Sequence, residues 1–104
     1  MSTIPEMNGE TLEQKLKNGE NITVIDVRED EEVEEGMIPG AKHVRLGDLQ
    51  DRYTELDKED NHVVVCRSGR RSMKASEFLK ENGFTTVTNL EGGMLGWPGD
   101  VSKK

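Results

Sequence analysis

The chain has 104 residues, of which 32% are apolar, and its 21 acidic and 14 basic residues give a formal charge of −7. This length predicts one domain, over residues 1–104, with a modest core. The negative charge argues against nucleic acid or an anionic membrane as a partner, and no apolar run approaches the roughly 20 residues of a membrane span. Since the first residues lack a secretory signal pattern, we expect a soluble, cytoplasmic protein.

Extended and helical patterns alternate along the chain. In chain order they predict a helix at Glu10–Lys17, a strand at Ile22–Val27, a short strand at Lys42–Arg45, a weaker helix at Leu46–Tyr53, a strand at His62–Cys66, a helix at Ser72–Asn82 and a strand at Thr85–Leu90. The strand at 22–27 and the strand at 62–66 are almost continuously apolar, which is typical of strands covered on both faces. The sequence therefore predicts an α/β fold with a mostly parallel sheet and helices on both faces.

The helix predicted over 72–82 is the clearest in the chain. Ala75, Phe78 and Leu79 fall on one face at helical spacing, and Gly83 follows as a stop signal. Ser72 is a favourable N-cap residue, so we expect the helix to begin there.

An acidic run covers Glu29–Glu35, with six acids in seven residues. Such runs are usually solvated surface. We expect this one to be exposed and to begin a short helix, and we rank docking of a basic partner lower.

Cys66 is the only cysteine, so the sequence excludes an internal disulfide, a redox-active cysteine pair and a cysteine-rich zinc site. It follows three valines, a context in which a small buried side chain is the ordinary interpretation. However, it also stands where a strand ends before a helix, the place at which α/β sheets bind anions through free amides and the helix dipole. This position favours a reactive thiolate.

The charges near Cys66 support the reactive interpretation. From Cys66 to Lys80 there are five basic residues and one acid, a net +4 in a protein of net −7. Gly69 lets the backbone turn its amides inward. This segment therefore suits a small anion or an anionic intermediate.

Two reactions compete for such a thiol. Phosphate-ester hydrolysis requires an arginine six positions after the cysteine, where this chain has Ser72, while Arg71 comes one place too early. The shorter loop predicts a narrower cradle, which suits a single sulfur better than a phosphoryl group. A phosphatase or arsenate reductase is therefore the less favoured alternative.

Several ordered motifs resemble the rhodanese-like family of single-domain thiosulfate sulfurtransferases. They are Ile25–Arg28, Glu35–Ala41, Cys66–Ser72, Asn82–Phe84, and Leu90–Met94 with Trp97. The resemblance implies a five-stranded, mostly parallel sheet flanked by helices and a six-residue active-site loop from Cys66 to Arg71. It also implies that the Cys66 thiolate takes a sulfane sulfur from a small anionic donor such as thiosulfate and passes it from a persulfide to a thiol or cyanide. No metal and no organic cofactor are implied.

The resemblance also assigns roles to individual residues. Cys66 is the expected nucleophile, and the backbone amides of Arg67, Ser68, Gly69, Arg70 and Arg71 are expected to hold the sulfur. We expect the side chains of Arg67 and Arg70 to attract the donor and Arg71 to contact a carboxylate. Asp26 and Arg28 are expected to form an ion pair that supports the loop, as Ser72 does from the helix.

The chain departs from the family pattern at two positions, and the sequence leaves a second function open. Met37 stands where a histidine is common and Val33 where an aromatic residue is common. These departures leave the choice of acceptor open. The second hypothesis is a sulfur carrier or sensor that hands its Cys66 persulfide sulfur to a protein partner.

Overall fold

The computed structural model describes residues 3–103, which form a five-stranded sheet with four α-helices. All strands are parallel, in the order β1-β5-β4-β2-β3. The strands are β1 (Glu6–Met7), β2 (Thr23–Asp26), β3 (Lys42–His43), β4 (Asn61–Val65) and β5 (Thr86–Leu90). The helices are α1 (Gly9–Lys17), α2 (Asp30–Glu34), α3 (Leu49–Arg52) and α4 (Arg70–Glu81).

Strand β4 lies at the centre and is buried on both faces. Val63 and Val65 belong to a cluster with Leu12 of α1, whereas Val64 and Cys66 belong to a second cluster with Leu79 of α4. Because successive side chains of a strand point to opposite faces, the two clusters lie on opposite sides of the sheet. The predicted α/β fold with a parallel sheet and helices on both faces is confirmed.

The predicted strand positions agree with β2, β3, β4 and β5 within one or two residues at each end, but β1 was missed. It has only two residues, too few to show a periodic pattern. It is defined by its pairing with β5, in which the amides of Asn89 and Glu91 donate to the carbonyls of Pro5 (2.9 Å) and Met7 (2.8 Å).

The helix predicted over Leu46–Tyr53 is confirmed only in part, because the α-helical segment is limited to Leu49–Arg52. The chain forms a 3₁₀ turn at Leu46–Asp48, then the single turn of α3, then a second 3₁₀ turn at Tyr53–Glu55. Tertiary packing decides this path, because Leu49 is buried and the Tyr53 ring packs edge-on against Phe78 at 5.2 Å.

The acidic run begins α2, as predicted, and most of its acids are exposed. Glu32 differs, since one of its oxygens accepts the Glu29 amide at 3.0 Å and its carboxylate also reaches α4. Within residues 3–103, no helix has both the length and the apolar character needed to cross a bilayer.

Candidate active site

Cys66 follows directly after the last residue of β4 and precedes α4. It therefore lies at the edge of the sheet where the parallel strands end. Its side chain is buried, with 1% of the residue exposed, and it belongs to the core cluster that includes Ala75 and Leu79. A small buried side chain and a reactive thiol are both consistent with this burial. The hydrogen bonds around the sulfur distinguish the two.

Polar hydrogens converge on the Cys66 sulfur. The Gly69 amide lies 3.0 Å from Sγ and the Ser72 hydroxyl 3.3 Å from it. Burial raises the pKa of the thiol, but hydrogen bonds from the Ser72 hydroxyl and from the amides of Ser72, Gly69 and Ser68 outweigh it, so the net pKa lies below the usual value. The surroundings therefore stabilise a thiolate, as a nucleophile requires.

The structure corrects the start of the helix and thereby the role of Ser72. Helix α4 begins at Arg70, and Gly69 precedes it in the left-handed conformation at φ +105°. Arg70 and Arg71 therefore form the first helical turn, and the non-helical loop is only Cys66–Gly69. Ser72 is not an N-cap, because its hydroxyl is directed at Cys66 Sγ and at Asn89.

Asn89 of β5 is the polar residue at this site that sequence reasoning missed. It is 1% exposed, and its Nδ2 donates to the Gly69 carbonyl at 3.2 Å and to Glu6 Oε2 at 3.0 Å. Both partners only accept hydrogen bonds, so the amide oxygen must face Ser72, whose hydroxyl donates to it at 2.5 Å. Asn89 thus fixes the two residues that contact Sγ. An asparagine within a β-branched strand was the available signal, because strands are poor in asparagine.

A glycine turn supports the loop from the other side. The amides of Met94 and Leu95 donate to the carbonyls of Cys66 (2.9 Å) and Arg67 (3.1 Å). Gly93 lies so close that a Cβ there would collide with the Cys66 carbonyl and the Arg67 backbone, and its φ is +52°. Only glycine fits at this approach, which explains Gly93, while Gly92 has a left-handed backbone at φ +77°.

Arg71 has the carboxylate partner that was expected. Its guanidinium donates to both oxygens of Glu32, at 2.7 and 2.8 Å. The hydrogen bonds from Arg71 outweigh partial burial and hold the pKa of Glu32 at about 2. This pair ties α2 to the first turn of α4, directly beyond the loop.

The ion pair between Asp26 and Arg28 is present and buried. Arg28 Nη2 lies 2.8 Å from Asp26 Oδ2 and donates to the Gly36 carbonyl, also at 2.8 Å. Arg28 Nη1 reaches the Glu32 carbonyl at 3.4 Å. The Asp26–Arg28 pair is therefore connected to the Cys66 loop indirectly, through Glu32 and Arg71.

Arg67, Ser68 and Arg70 are exposed around the loop. Within the described residues neither arginine forms an ion pair, so both guanidinium groups are available to an anion. Leu95 is also exposed, at 68%, beside Arg67. Met37 and Val33, the two positions at which the chain departs from the family pattern, are buried in the core.

The comparisons with known proteins point to one family. The Rhodanese-like domain family model matches residues 9–100. A Bacillus subtilis protein named "Putative sulfurtransferase YtwF" is 48% identical over 101 residues, which is 97% of both chains. A second B. subtilis protein, "Putative sulfur carrier protein YrkF", is 42% identical over 94% of this chain, which spans about half (53%) of that relative.

A solved structure matches as well. The crystal structure of a rhodanese-like domain protein from Staphylococcus aureus superposes with a TM-score of 0.89 and 34% identity, covering 97% of this chain and 99% of the other. Fold and sequence motifs thus lead to one assignment, and relatives named as sulfurtransferases support that role at the family level. The chain belongs to the rhodanese-like domain family.

Proposed function

We propose that this protein is a sulfurtransferase that moves a sulfane sulfur from thiosulfate, or a related anionic donor, to a thiophilic acceptor through a persulfide on Cys66. The observation that carries the proposal is the set of donors on Cys66 Sγ, with the Gly69 amide at 3.0 Å and the Ser72 hydroxyl at 3.3 Å. Such donors favour the thiolate, which is the nucleophilic form.

In the first half-reaction, the thiolate attacks the outer sulfur of thiosulfate. A bond forms between Sγ and that sulfur while the sulfur–sulfur bond of the donor breaks, and its electron pair leaves with sulfite. Amides held in place by the fold stabilise the anionic persulfide without reorganising. The buried position of Cys66 limits competing reactions of the persulfide with water.

The exposed arginines support an anionic donor. Arg67 and Arg70 have no acidic partner within residues 3–103, although the protein is acidic overall. Free cations beside a reactive sulfur raise the local concentration of a dianion such as thiosulfate and offset its charge as it meets the thiolate.

Delivery of the sulfur to a protein is the second candidate. It is favoured by the relative named as a sulfur carrier, which is 42% identical to this chain but about twice as long. A carrier forms the same Cys66 persulfide but has slow activity on small donors.

Steady-state turnover tests the proposal and separates the two candidates. With thiosulfate and cyanide, the wild-type protein should form thiocyanate, whereas Cys66→Ser should form none and keep the fold. Ser76→Cys is the matched control: combined with Cys66→Ser, it places a buried thiol on α4, one turn after Ser72. We expect no turnover from that double variant. Turnover retained by Cys66→Ser, or hydrolysis of an aryl phosphate that depends on Cys66, would contradict the proposal.

A further inference from the structure

A chain of three side chains connects the surface of the protein to the Cys66 sulfur. Glu6 lies in β1, at the edge of the sheet, and is exposed. Its Oε2 accepts a hydrogen bond from Asn89 Nδ2 at 3.0 Å. Asn89 Oδ1 in turn accepts one from the Ser72 hydroxyl, which also faces Cys66 Sγ at 3.3 Å. Glu6 thus reaches the nucleophile through two other side chains.

The side chain of Glu6 is not needed to form β1. The backbone holds this strand, since the carbonyls of Pro5 and Met7 accept the amides of Asn89 and Glu91 at 2.9 and 2.8 Å. The register of the parallel pair places Glu6 opposite Asn89. Because side chains alternate between the faces of a sheet, this register brings the two side chains together. A substitution of Glu6 can therefore remove the hydrogen bond to Asn89 and leave the sheet in place.

The acceptors around Asn89 favour one orientation of its amide. Nδ2 faces Glu6 Oε2 at 3.0 Å and the Gly69 carbonyl at 3.2 Å, and both groups only accept hydrogen bonds. In the opposite orientation Oδ1 would face both of these oxygens, one of which belongs to a carboxylate. Because hydrogen bonds to charged groups are the stronger ones, Glu6 supplies the larger part of this preference.

The orientation of Asn89 decides how the Ser72 hydroxyl is used. That hydroxyl has a single proton, for which Asn89 Oδ1 and Cys66 Sγ compete. If Nδ2 faced Ser72 instead, it would donate to Oγ and leave the proton for the sulfur alone. The hydrogen bond from Nδ2 to the carboxylate also makes Oδ1 a better acceptor, since linked hydrogen bonds polarise one another. Glu6 therefore draws the Ser72 proton away from the sulfur.

We infer that Glu6 is a positioning residue: by fixing the Asn89 amide, it limits the hydrogen bond that the Ser72 hydroxyl gives to the thiolate. A thiolate that is stabilised less is a stronger nucleophile, because nucleophilicity falls as the pKa of the thiol falls, with a Brønsted coefficient of about 0.4–0.5. In sulfur transfer, Glu6 thereby keeps the attack of Cys66 on the donor fast. This last step rests on the proposed function, whereas the effect of Glu6 on the thiolate does not.

Alkylation by iodoacetamide, measured across pH, tests this inference without any sulfur donor. In Glu6→Ala the pKa of Cys66 should fall by about half a unit to one unit, because the Ser72 proton turns to the sulfur. Well below that pKa, alkylation should become about two- to fourfold faster, and well above it about two- to threefold slower, because each thiolate reacts less readily. A loop that only lost order would stabilise the thiolate less and could not speed alkylation at low pH. Unchanged or slower alkylation at low pH would overturn the inference.

Two further variants separate the hydrogen bond from the charge. Glu91→Ala removes an exposed acid directly after β5, the strand that pairs with β1, and among the described residues the Glu91 carboxylate forms no hydrogen bond or ion pair. Glu6→Gln removes the charge but keeps an acceptor oxygen for Asn89 Nδ2. Both variants should give profiles much closer to wild type than to Glu6→Ala. If either matches Glu6→Ala, loss of negative charge explains the effect and the inference is overturned.

A double-mutant cycle tests the route through Ser72. Ser72→Ala removes the hydroxyl for whose proton Asn89 and the sulfur compete. If Glu6 acts through that hydroxyl, Glu6→Ala should change the alkylation profile of Ser72→Ala far less than that of wild type, so the two effects are not additive. An equal effect of Glu6→Ala with and without the hydroxyl would overturn the inference.

Sulfur loading separates this inference from the proposed function. Single-turnover loading from thiosulfate at a pH above the pKa of Cys66, followed by intact mass, should be about two- to threefold slower in Glu6→Ala than in wild type. A protein that shows the expected alkylation profiles but forms no persulfide would contradict the proposed function alone. A protein that forms the persulfide, with the same loading rate and the same alkylation profile in Glu6→Ala, would contradict the inference alone.

Discussion

The Ser72 hydroxyl has one proton and two acceptors. Asn89 Oδ1 lies 2.5 Å from Oγ and the Cys66 sulfur 3.3 Å from it. When Cys66 is a thiol, its S–H can donate to Oγ while the hydroxyl donates to Asn89. When Cys66 is a thiolate, the hydroxyl gains a charged acceptor, and hydrogen bonds to charged groups are the stronger ones. Ser72 can therefore stabilise the sulfur both when it attacks and when it leaves.

Replacing Ser72 tests this contribution at the level of one atom. Ser72→Ala removes a donor that lowers the pKa of Cys66. The pKa of Cys66 should therefore rise, and the fraction of thiolate at pH values below that pKa should fall. We expect alkylation by iodoacetamide near pH 6 to slow by roughly ten- to hundredfold, because one hydrogen bond to a charged group is worth about 1.5–3 kcal/mol. The alkylation rate measured at several pH values gives the pKa of Cys66 in each protein.

Ser76→Ala is the control for that variant. Ser76 is also buried on α4, and its hydroxyl donates to the Ser72 carbonyl at 2.7 Å rather than to the sulfur. Its loss should leave the pH profile of alkylation unchanged. If both variants shift the profile equally, the Ser72 hydroxyl has no special effect on the thiolate.

Among the structural elements, the 3₁₀ turn at Gly93–Gly96 holds the Cys66 loop through the amides of Met94 and Leu95. The turn contains two glycines, Gly93 and Gly96, and follows a third, Gly92. These three glycines differ in a way that separates backbone strain from close packing. Gly92 has φ +77° and open space around it, Gly93 has φ +52° and meets the Cys66–Arg67 backbone, and Gly96 has open space and no positive φ.

Alanine at each position should therefore have a graded effect. Gly96→Ala should be nearly neutral, and Gly92→Ala should cost about 1–2 kcal/mol of unfolding free energy through its left-handed backbone. Gly93→Ala should cost more than Gly92→Ala and should also reduce sulfur transfer by at least about tenfold, since it displaces the loop. Urea unfolding and thiocyanate turnover measure the two effects. Equal losses of stability and of turnover in Gly92→Ala and Gly93→Ala would show that the close approach of Gly93 to the Cys66–Arg67 backbone is unimportant.

Prediction from sequence succeeded for elements with a strong local signal. The apolar run at 62–66 and the periodic helix at 72–82 placed Cys66 between a strand and a helix, where it lies. The start of α4 was misplaced because Gly69 and Ser72 are both good residues for that position, and the choice depends on the tertiary contact of Ser72 with the sulfur. The contact between Asn89 and Glu6 was missed for a related reason, since it spans 83 residues and leaves no local pattern.

Over the whole molecule, one buried group makes stability depend on pH apart from the active site. His62 is 1% exposed in β4, and neither ring nitrogen has a hydrogen-bond partner among the described residues. Burial lowers the pKa of His62 below the ordinary histidine value of about 6.5, while nearby Asp60 opposes the shift. Because the unfolded chain then binds the proton more readily, the free energy of unfolding should fall as the pH drops below about 6.5.

Substitution of His62 by leucine should remove this dependence. We expect the wild-type protein to lose stability between pH 7 and pH 5, by at most about 1.4 kcal/mol per pH unit from this group, and His62→Leu to lose less. Urea unfolding at several pH values measures the difference. The same loss in both proteins would show that His62 titrates normally in the fold.

The charge of the whole chain also gains meaning from the structure. The net charge of −7 conceals an uneven distribution. Arg71 is paired with Glu32 and Arg28 with Asp26, whereas Arg67, Arg70 and Lys74 have no ion-pair partner within residues 3–103. Three cations of the acidic protein therefore lie near its single thiol. That distribution suits an anionic donor.

Intact mass spectrometry after incubation with thiosulfate and removal of excess donor tests the sulfur chemistry most directly. The wild-type protein should gain the mass of one sulfur atom, lose it on addition of a thiol, and show no gain as Cys66→Ser. A wild-type protein that gains no sulfur, or a Cys66→Ser variant that gains it, would contradict the assignment of Cys66 as the persulfide carrier.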